Sequence, residues 1–403
     1  MRFLIVPENN SLSHIAKSLA ICDGLFERNH EVLLAVGQRW VSFVQRTKIP
    51  YVVLEDIRDC SDSGFPSVGW FRDDTNIDTV IDEERSLLES YRPDRVLGIF
   101  RFTLKAAAEL AGIRYDSLVC GCLLPGVIDA YGYKYNEVGG DKQAELMSGF
   151  FRYAGARLSR VLTKYGLDGI EDAREMLLGE RTFLWDFPQF LPIDTSMNCT
   201  HVGPINWMDW PVDSSCRDNF KAYDGRPLAV LSFGTCVGDE KVARYLIEIL
   251  GDMGFHILWA AGGQSEMISE EYNVPWLDIC EFAPLHKLWP QVRLLISNGG
   301  QMTIFEALRH GVPVAVMPFQ PEQAHNGVCL EMLGCGRRLT PGQPFLGNSN
   351  VYIKALFNEG EDRIREVFID LLSDRTRECL TLVEEKMDFY RGTSNLLPFL
   401  ERA

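Results

Sequence analysis

None of the eleven cysteines forms a Cys-x-x-Cys pair, so neither a zinc site nor a disulfide framework is indicated, and free thiols in a reducing compartment are expected. Positive charge is also scarce: 40 Lys and Arg stand against 56 Asp and Glu, a formal net charge of −16. That balance argues against nucleic acid and an anionic membrane surface as main partners, while leaving room for an anion held locally by backbone dipoles. No apolar run reaches the ~18 residues that suggest a membrane span. The short apolar stretch from Phe3 to Val6 has neither a basic flank nor a cleavage pattern, so no signal peptide is expected and the chain is assigned to the cytoplasm. Low-complexity tracts are missing, and no repeat occurs beyond two similar halves. What remains is a globular composition, 46% apolar and 11% aromatic, in 403 residues, a length that suggests two domains.

Apolar spacing along the chain switches between strand and helix periods. Strands are expected at 2–6, 31–36 and 51–54, with helices at 14–28 and 41–45 between them, which is the opening of a doubly wound sheet. Residues 55–92 are acidic and rich in turn formers. The pattern resumes with a strand at 96–100, a helix at 103–111 and a strand at 117–122, in which Cys120 and Cys122 would share a face. Tyr131, Tyr133 and Tyr135 lie among glycines in 126–141, as in a mobile lining loop, before a helical region at about 142–178. The composition then changes through Pro188 to Arg226, as in a linker. A second βα series follows, with a strand at 228–233, a helix at 239–253 and a strand at 256–260, and the tail 363–400 is helical.

The most informative stretch lies in this second series, from Leu294 to Arg338. Leu294 to Ser297 is short and apolar enough for a buried parallel strand. Gly299 and Gly300 follow, then a helix at 302–309 closed by Gly311 and Pro313. A strand at 314–317 leads to a polar turn with Glu322, Gln323 and Asn326. A strand, a glycine turn and a helix bring backbone N–H groups and the positive helix end to one place, which suits a phosphate.

These residues carry a family resemblance. The pattern His-Gly-Gly-x-x-[Ser/Thr]-x-x-Glu-Ala-Leu, then Gly-Val-Pro, then Pro-x-x-x-[Asp/Glu]-Gln-x-x-Asn, appears here as Asn298-Gly299-Gly300, Thr303, Glu306-Ala307-Leu308, Gly311-Val312-Pro313, Pro318, Glu322-Gln323 and Asn326. Further matches run in order along the whole chain, from SLSH and RNHEV through HVGPINW to LAVLSFGT and DICEFAPLHKLWP. The chain resembles the bacterial, UDP-glycosyltransferase-like members of glycosyltransferase family 1. That likeness implies an α/β, GT-B architecture: two facing Rossmann-like doubly wound domains, a cleft between them, and a C-terminal helix crossing back. The expected division is an acceptor-binding domain at 1–205, a linker at 206–226, a nucleotide-sugar-binding domain at 227–375, and a terminal helix at 376–403 packing on the first domain.

By the same likeness the donor is a UDP- or dTDP-sugar co-substrate, with no further cofactor. No metal is implied, since the sequence has no Asp-x-Asp triplet. Donor contacts are expected from Gly234, Thr235, Phe282 (stacking on the base), Asn298, Gly299, Gly300, Gln301, Thr303, Glu306 (on the ribose hydroxyls), Glu322 and Gln323. His14 matches the family's general base, and imidazole as a class titrates near neutrality. The acceptor is expected to be a small hydroxylated natural product or a lipid-like molecule. Trp70, Phe71, Tyr131 and Tyr133 are its candidate contacts, and a homodimer is compatible with the likeness. Two positions depart from the family. Asn298 stands where a histidine contacts the phosphate, and cannot carry its charge. Ile99 stands where an aspartate orients the base, which leaves Asp116 as a substitute. These departures raise an alternative: a glycosyltransferase-like binding or auxiliary protein without turnover. A GT-B epimerase is less supported, because its extra carboxylates and arginines cannot be identified here.

Overall fold

The apolar runs expected as buried strands assemble into two all-parallel sheets in the computed structural model, which describes residues 1–54, 73–207, 225–234, 239–262, 274–345 and 349–402. Each sheet belongs to its own compact unit. Unit 1 comprises Met1–Asp129, Ala144–Trp207 and Tyr390–Ala403, and unit 2 comprises Ala130–Gln143 and Met208–Phe389.

In unit 1 the strands are β1 (Arg2–Pro7), β2 (Glu31–Gly37), β3 (Tyr51–Leu54), β4 (Arg95–Ile99), β5 (Tyr115–Val119), β6 (Arg181–Leu184) and β7 (Cys199–His201). Their order is β3-β2-β1-β4-β5-β6-β7. The connecting helices are α1 (Leu12–Glu27), α2 (Asp74–Tyr91), α3 (Leu104–Ala111) and α4 (Gly140–Lys164). The chain builds outward from β1 to β3, then returns to add β4 on the other side of β1. The β1/β4 seam is therefore a topological switch point, where the ends of the flanking connections part and leave a crevice at the strand carboxyl ends.

Unit 2 repeats the plan with β8 (Leu228–Ser232), β9 (His256–Ala260), β10 (Leu277–Cys280), β11 (Val292–Ser297), β12 (Val314–Val316) and β13 (Gly336–Arg338) in the order β10-β9-β8-β11-β12-β13. Its helices are α5 (Glu240–Asp252), α6 (Gln301–Arg309), α7 (Pro321–Leu333), α8 (Asn350–Glu359), α9 (Glu361–Leu371) and α10 (Asp374–Met387). The switch point here is the β8/β11 seam. The inner strands β8 and β9 are buried at every residue, as doubly covered parallel strands must be.

Several expectations shift. The strand expected at 117–122 is β5, ending at Val119; Gly121–Leu123 is a single 3-10 turn. Cys120 and Cys122 therefore sit at a bend, with their sulfurs 3.5 Å apart, and all eight described cysteines are free. The helix expected to run to 178 stops at Lys164, followed closely by Gly166 at φ +75°. The tail is not one helix. Ser373 caps α10 through the Thr376 N–H, and α10 stays with unit 2, packed on α6. Only the last helix, Thr393–Leu400, joins unit 1, against α1. It approaches so closely that a Cβ on Gly24 would lie 2.6 Å from Leu397 Cδ1, and Glu401 ties its end to Arg28 and His30 at 2.7 and 2.9 Å.

The expected domain 1–205 also loses 130–143, which belongs to unit 2. Arg338, 5% exposed, fixes that segment by donating to the Gly132 carbonyl and to Glu137 at 3.2 Å, while pairing with Glu331 at 3.0 Å. Most of the expected linker 206–226 lies outside the described residues. Among the described residues no helix is long and apolar enough to cross a membrane.

Candidate active site

Of the sequence-predicted residues, His14 lies at the switch point of unit 1, and Gly234 and the turn from Asn298 to Gln301 lie at that of unit 2. In unit 2, β11 ends in Asn298-Gly299-Gly300, and α6 starts at once. Gly299 has φ +92°, and a Cβ there would stand 2.7 Å from the Gln323 carbonyl oxygen and 3.0 Å from Val316 Cγ1, so only glycine fits. The N-cap of α6 is Gly300, and no side chain caps it. A helix start without a side-chain cap, with the positive end of its dipole there, suits the negative charge of a ligand.

Asn298 is 8% exposed, and its amide is engaged by the protein. Nδ2 donates to the Phe233 carbonyl at 2.7 Å, and Oδ1 accepts the Gly300 N–H at 3.1 Å. One side chain therefore pins the end of β8, just before Gly234 (φ +73°), to the turn after β11. The side chain thus shapes the turn beside its expected contact with the phosphate. Asn326, 1% exposed, completes the brace: Nδ2 donates to the Gly299 carbonyl at 2.9 Å and Oδ1 accepts from Gln301 Nε2 at 3.2 Å. Gln323 accepts the Phe319 N–H at 2.9 Å, a turn-holding bond beside its expected contact with sugar. Asn326 stood in the motif without an assigned role, because a bond to backbone leaves no trace in sequence.

One turn along α6, Glu306 Oε2 accepts the Trp289 indole N–H at 3.2 Å. Burial pushes the Glu306 carboxyl from 4.5 up to about 7, and the indole bond offsets only part of that. Phe282 follows the edge strand β10, three places from β11 in the sheet, and its ring is 38% exposed, so it is not a core residue. Thr303 and Glu322 are partly exposed. Thr235 lies outside the described residues, as do Trp70 and Phe71.

In unit 1, Ser11 caps α1 and places His14 on its first turn, at the β1/β4 crevice. His14 Nδ1 lies 3.1 Å from Glu8 Oε2. Both side chains are largely enclosed, 12% and 8% exposed. Glu8 is itself held twice: Oε1 accepts the Asn10 N–H at 2.9 Å, and its own N–H donates to the Ile99 carbonyl at 2.8 Å. The carboxylate beside the imidazole thus comes from the end of β1, while its neighbour β4 ends in Ile99. Asp116 does not substitute. It is fully buried on β5 and spent on Arg95 at 3.1 Å and Arg181 at 2.9 Å.

Two rings flank the imidazole, Phe100 at 5.3 Å and Trp185 at 5.8 Å between centroids. Phe100 adopts φ +53°, a strained conformation for a bulky residue, and such strain concentrates at functional sites. Neither residue was singled out from sequence; each directly follows a strand, β4 and β6. Tyr131 and Tyr133, expected as acceptor contacts, are core residues of unit 2, 1% and 4% exposed. Tyr131 meets the His325 ring edge-on at 5.9 Å, and the Tyr133 hydroxyl donates to the Gly342 carbonyl at 3.0 Å. They anchor the 130–143 segment and present no open aromatic surface.

Comparison with known proteins agrees with this fold. Residues 163–343 match the family of UDP-glucoronosyl and UDP-glucosyl transferases. A PGL/p-HBAD biosynthesis rhamnosyltransferase of Mycobacterium bovis (strain BCG / Pasteur 1173P2) is 23% identical over 83% of the chain and 76% of its own length. The solved glycotransferase of kitacinnamycin superposes with a TM-score of 0.77 at 18% identity, covering 100% of this chain and 98% of its own. A Streptomyces sp. SF2575 glycosyltransferase complexed with thymidine diphosphate gives a TM-score of 0.63 at 16% identity, with 100% of both chains covered.

Proposed function

Because the chain belongs to the UDP-glycosyltransferase-like family of GT-B glycosyltransferases, we propose that it transfers a sugar, with inversion, from a UDP- or dTDP-sugar to a hydroxyl of a small natural-product or lipid-like acceptor. The observation that carries the donor half is the α6 N-terminus, left without a side-chain cap directly after the Gly299-Gly300 turn. There the diphosphate accepts from backbone N–H groups, and the helix dipole stabilises the charge that grows as the sugar–phosphate bond breaks. That leaving-group stabilisation needs no bound cation. Glu306 as a carboxylate accepts from the ribose hydroxyls through the oxygen that Trp289 does not use. Phe282 stacks on the base.

His14 is the base. With Glu8 at Nδ1, the proton resides on Nδ1 and the lone pair on Nε2. Among the described residues nothing hydrogen-bonds Nε2. Nε2 removes the acceptor proton while the acceptor oxygen bonds to the anomeric carbon and the nucleoside diphosphate departs. Phe100 and Trp185 suit an apolar acceptor bearing that hydroxyl. A natural-product or lipid-like acceptor is in keeping with relatives named a PGL/p-HBAD biosynthesis rhamnosyltransferase and a demethyllactenocin mycarosyltransferase.

The test is release of UDP or dTDP from a panel of nucleotide sugars, with phenols and fatty alcohols as acceptors and the anomeric configuration of each product read by NMR. Transfer with inversion is expected, and His14→Ala should cut turnover by about 10²-fold or more. Donors that bind but are never consumed would leave the binding-protein alternative standing. Unchanged turnover in His14→Ala would remove the base from its role.

A further inference from the structure

We propose that Glu8, at the end of β1, is the residue that positions His14, since position 99 at the end of β4 offers no carboxylate. The proposal rests on the assignment of His14 as base. Three observations lead to it. Position 99 holds Ile99, whose side chain is buried and cannot accept a hydrogen bond. In the sheet, Pro7 pairs with Ile99, and the next residue, Glu8, donates its N–H to the Ile99 carbonyl, so Glu8 occupies the adjoining place across the seam. Its carboxylate then reaches His14 Nδ1 at 3.1 Å while the Asn10 N–H holds the other oxygen.

The carboxylate acts through the imidazole and touches no substrate. By accepting from Nδ1–H it fixes the tautomer that leaves Nε2 unprotonated and aims the ring, and it stabilises the imidazolium formed when Nε2 takes the acceptor proton. Neutral imidazole in water favours the opposite tautomer, with the proton on Nε2. A His14 without its carboxylate would therefore spend most of its time unable to act as base. Among the described residues, Phe100 and Trp185 flank the ring with apolar faces, and the Lys17 Nζ lies over the Trp185 ring at 4.7 Å and 3.4 Å from the Ser13 carbonyl.

The experiment compares Glu8→Gln, Glu8→Ala and His14→Ala in the full chain. Glu8→Gln keeps an acceptor for the Asn10 N–H, so it separates loss of charge from collapse of the loop. The first readout needs no activity: ¹⁵N spectra of histidine-labelled protein above neutral pH, with His14→Ala identifying the resonance among the seven histidines. Wild type should show the Nδ1–H tautomer, and Glu8→Ala should move the population to Nε2–H. The second readout is steady-state transfer: kcat in Glu8→Ala and Glu8→Gln should fall about 10–10³-fold while KM for the nucleotide sugar stays within about twofold. An unchanged tautomer in Glu8→Ala overturns the proposal, as does an unchanged kcat in a protein whose His14→Ala variant is inactive. If His14→Ala retains turnover, the base assignment fails, and the tautomer readout still decides whether Glu8 holds the ring.

Discussion

Replacing Glu306 by glutamine removes a proton equilibrium while keeping an acceptor for the Trp289 indole. The folded-state carboxyl sits at about 7 against an ordinary 4.5. Between those values the folded chain holds a proton that the unfolded chain has released, so the wild type loses stability as pH rises through this window. Below about 4.5 both states are protonated, and above about 7 both are ionised and the loss is complete. The full shift corresponds to at most about 3 kcal/mol, since each pH unit is worth about 1.4 kcal/mol and the residue keeps some exposure to solvent. Glu306→Gln escapes this loss. In a unit of roughly 200 residues, 1 kcal/mol moves the melting midpoint by about 2–4 °C. Scanning calorimetry at pH 5 and pH 8 should therefore show the variant gaining up to about 6–12 °C on wild type at the higher pH. Parallel pH dependence in the two proteins would refute the burial argument. Donor binding supplies a second check. If the ribose hydroxyls donate to the carboxylate, UDP binding to wild type at pH 6 should release a fraction of a proton more than binding to Glu306→Gln. The difference is visible as a larger buffer-dependent heat in titration calorimetry, the terminal phosphate contributing alike to both.

Other residues give sharper contrasts. Asn298→Ala strands the Phe233 carbonyl and the Gly300 N–H, so thermal stability should fall by about 1–3 kcal/mol and UDP affinity by more than about tenfold in the same preparation. Phe282→Ala removes an exposed ring, and should leave the melting curve within about 0.5 kcal/mol while weakening UDP binding, as measured by titration. Arg338→Met leaves Glu331 and Glu137 without their shared cation, and should cost about 3–5 kcal/mol, with faster amide hydrogen exchange throughout 130–143. Uniform exchange protection in that variant would count against Arg338 as the anchor.

What could be read from sequence follows from the range of the forces involved. The strands at 2–6, 256–260 and 294–297 are legible because burial on both faces writes itself as a continuous apolar run, and the turn at 298–300 because positive φ demands glycine. Asn298 was legible as odd, but its function was not: whether an amide faces a ligand or a carbonyl 65 positions earlier depends on how β8 and β11 are paired. Glu8 was hidden for the same reason. Its partner is only six residues away, yet its relevance depends on Ile99 across the β1/β4 seam, a contact between residues 91 positions apart. Tyr131 and Tyr133 mislead in the other direction. Tyrosines among glycines resemble a loop, and only the long-range grip of Arg338 shows that they are interior residues.

The assignment of 130–143 to unit 2 has a consequence for anyone who would take the protein apart. A fragment spanning 208–389 is contiguous in sequence and carries the whole donor turn, but it lacks the segment that meets Arg338, Glu331 and Gly342. Expressed alone it would expose an arginine pocket and the faces that Tyr131 and Tyr133 cover. A functional half-protein would require 130–143 to be spliced on in cis or supplied as a peptide, and that same dependence makes the segment a handle for reassembling the enzyme from two expressed pieces.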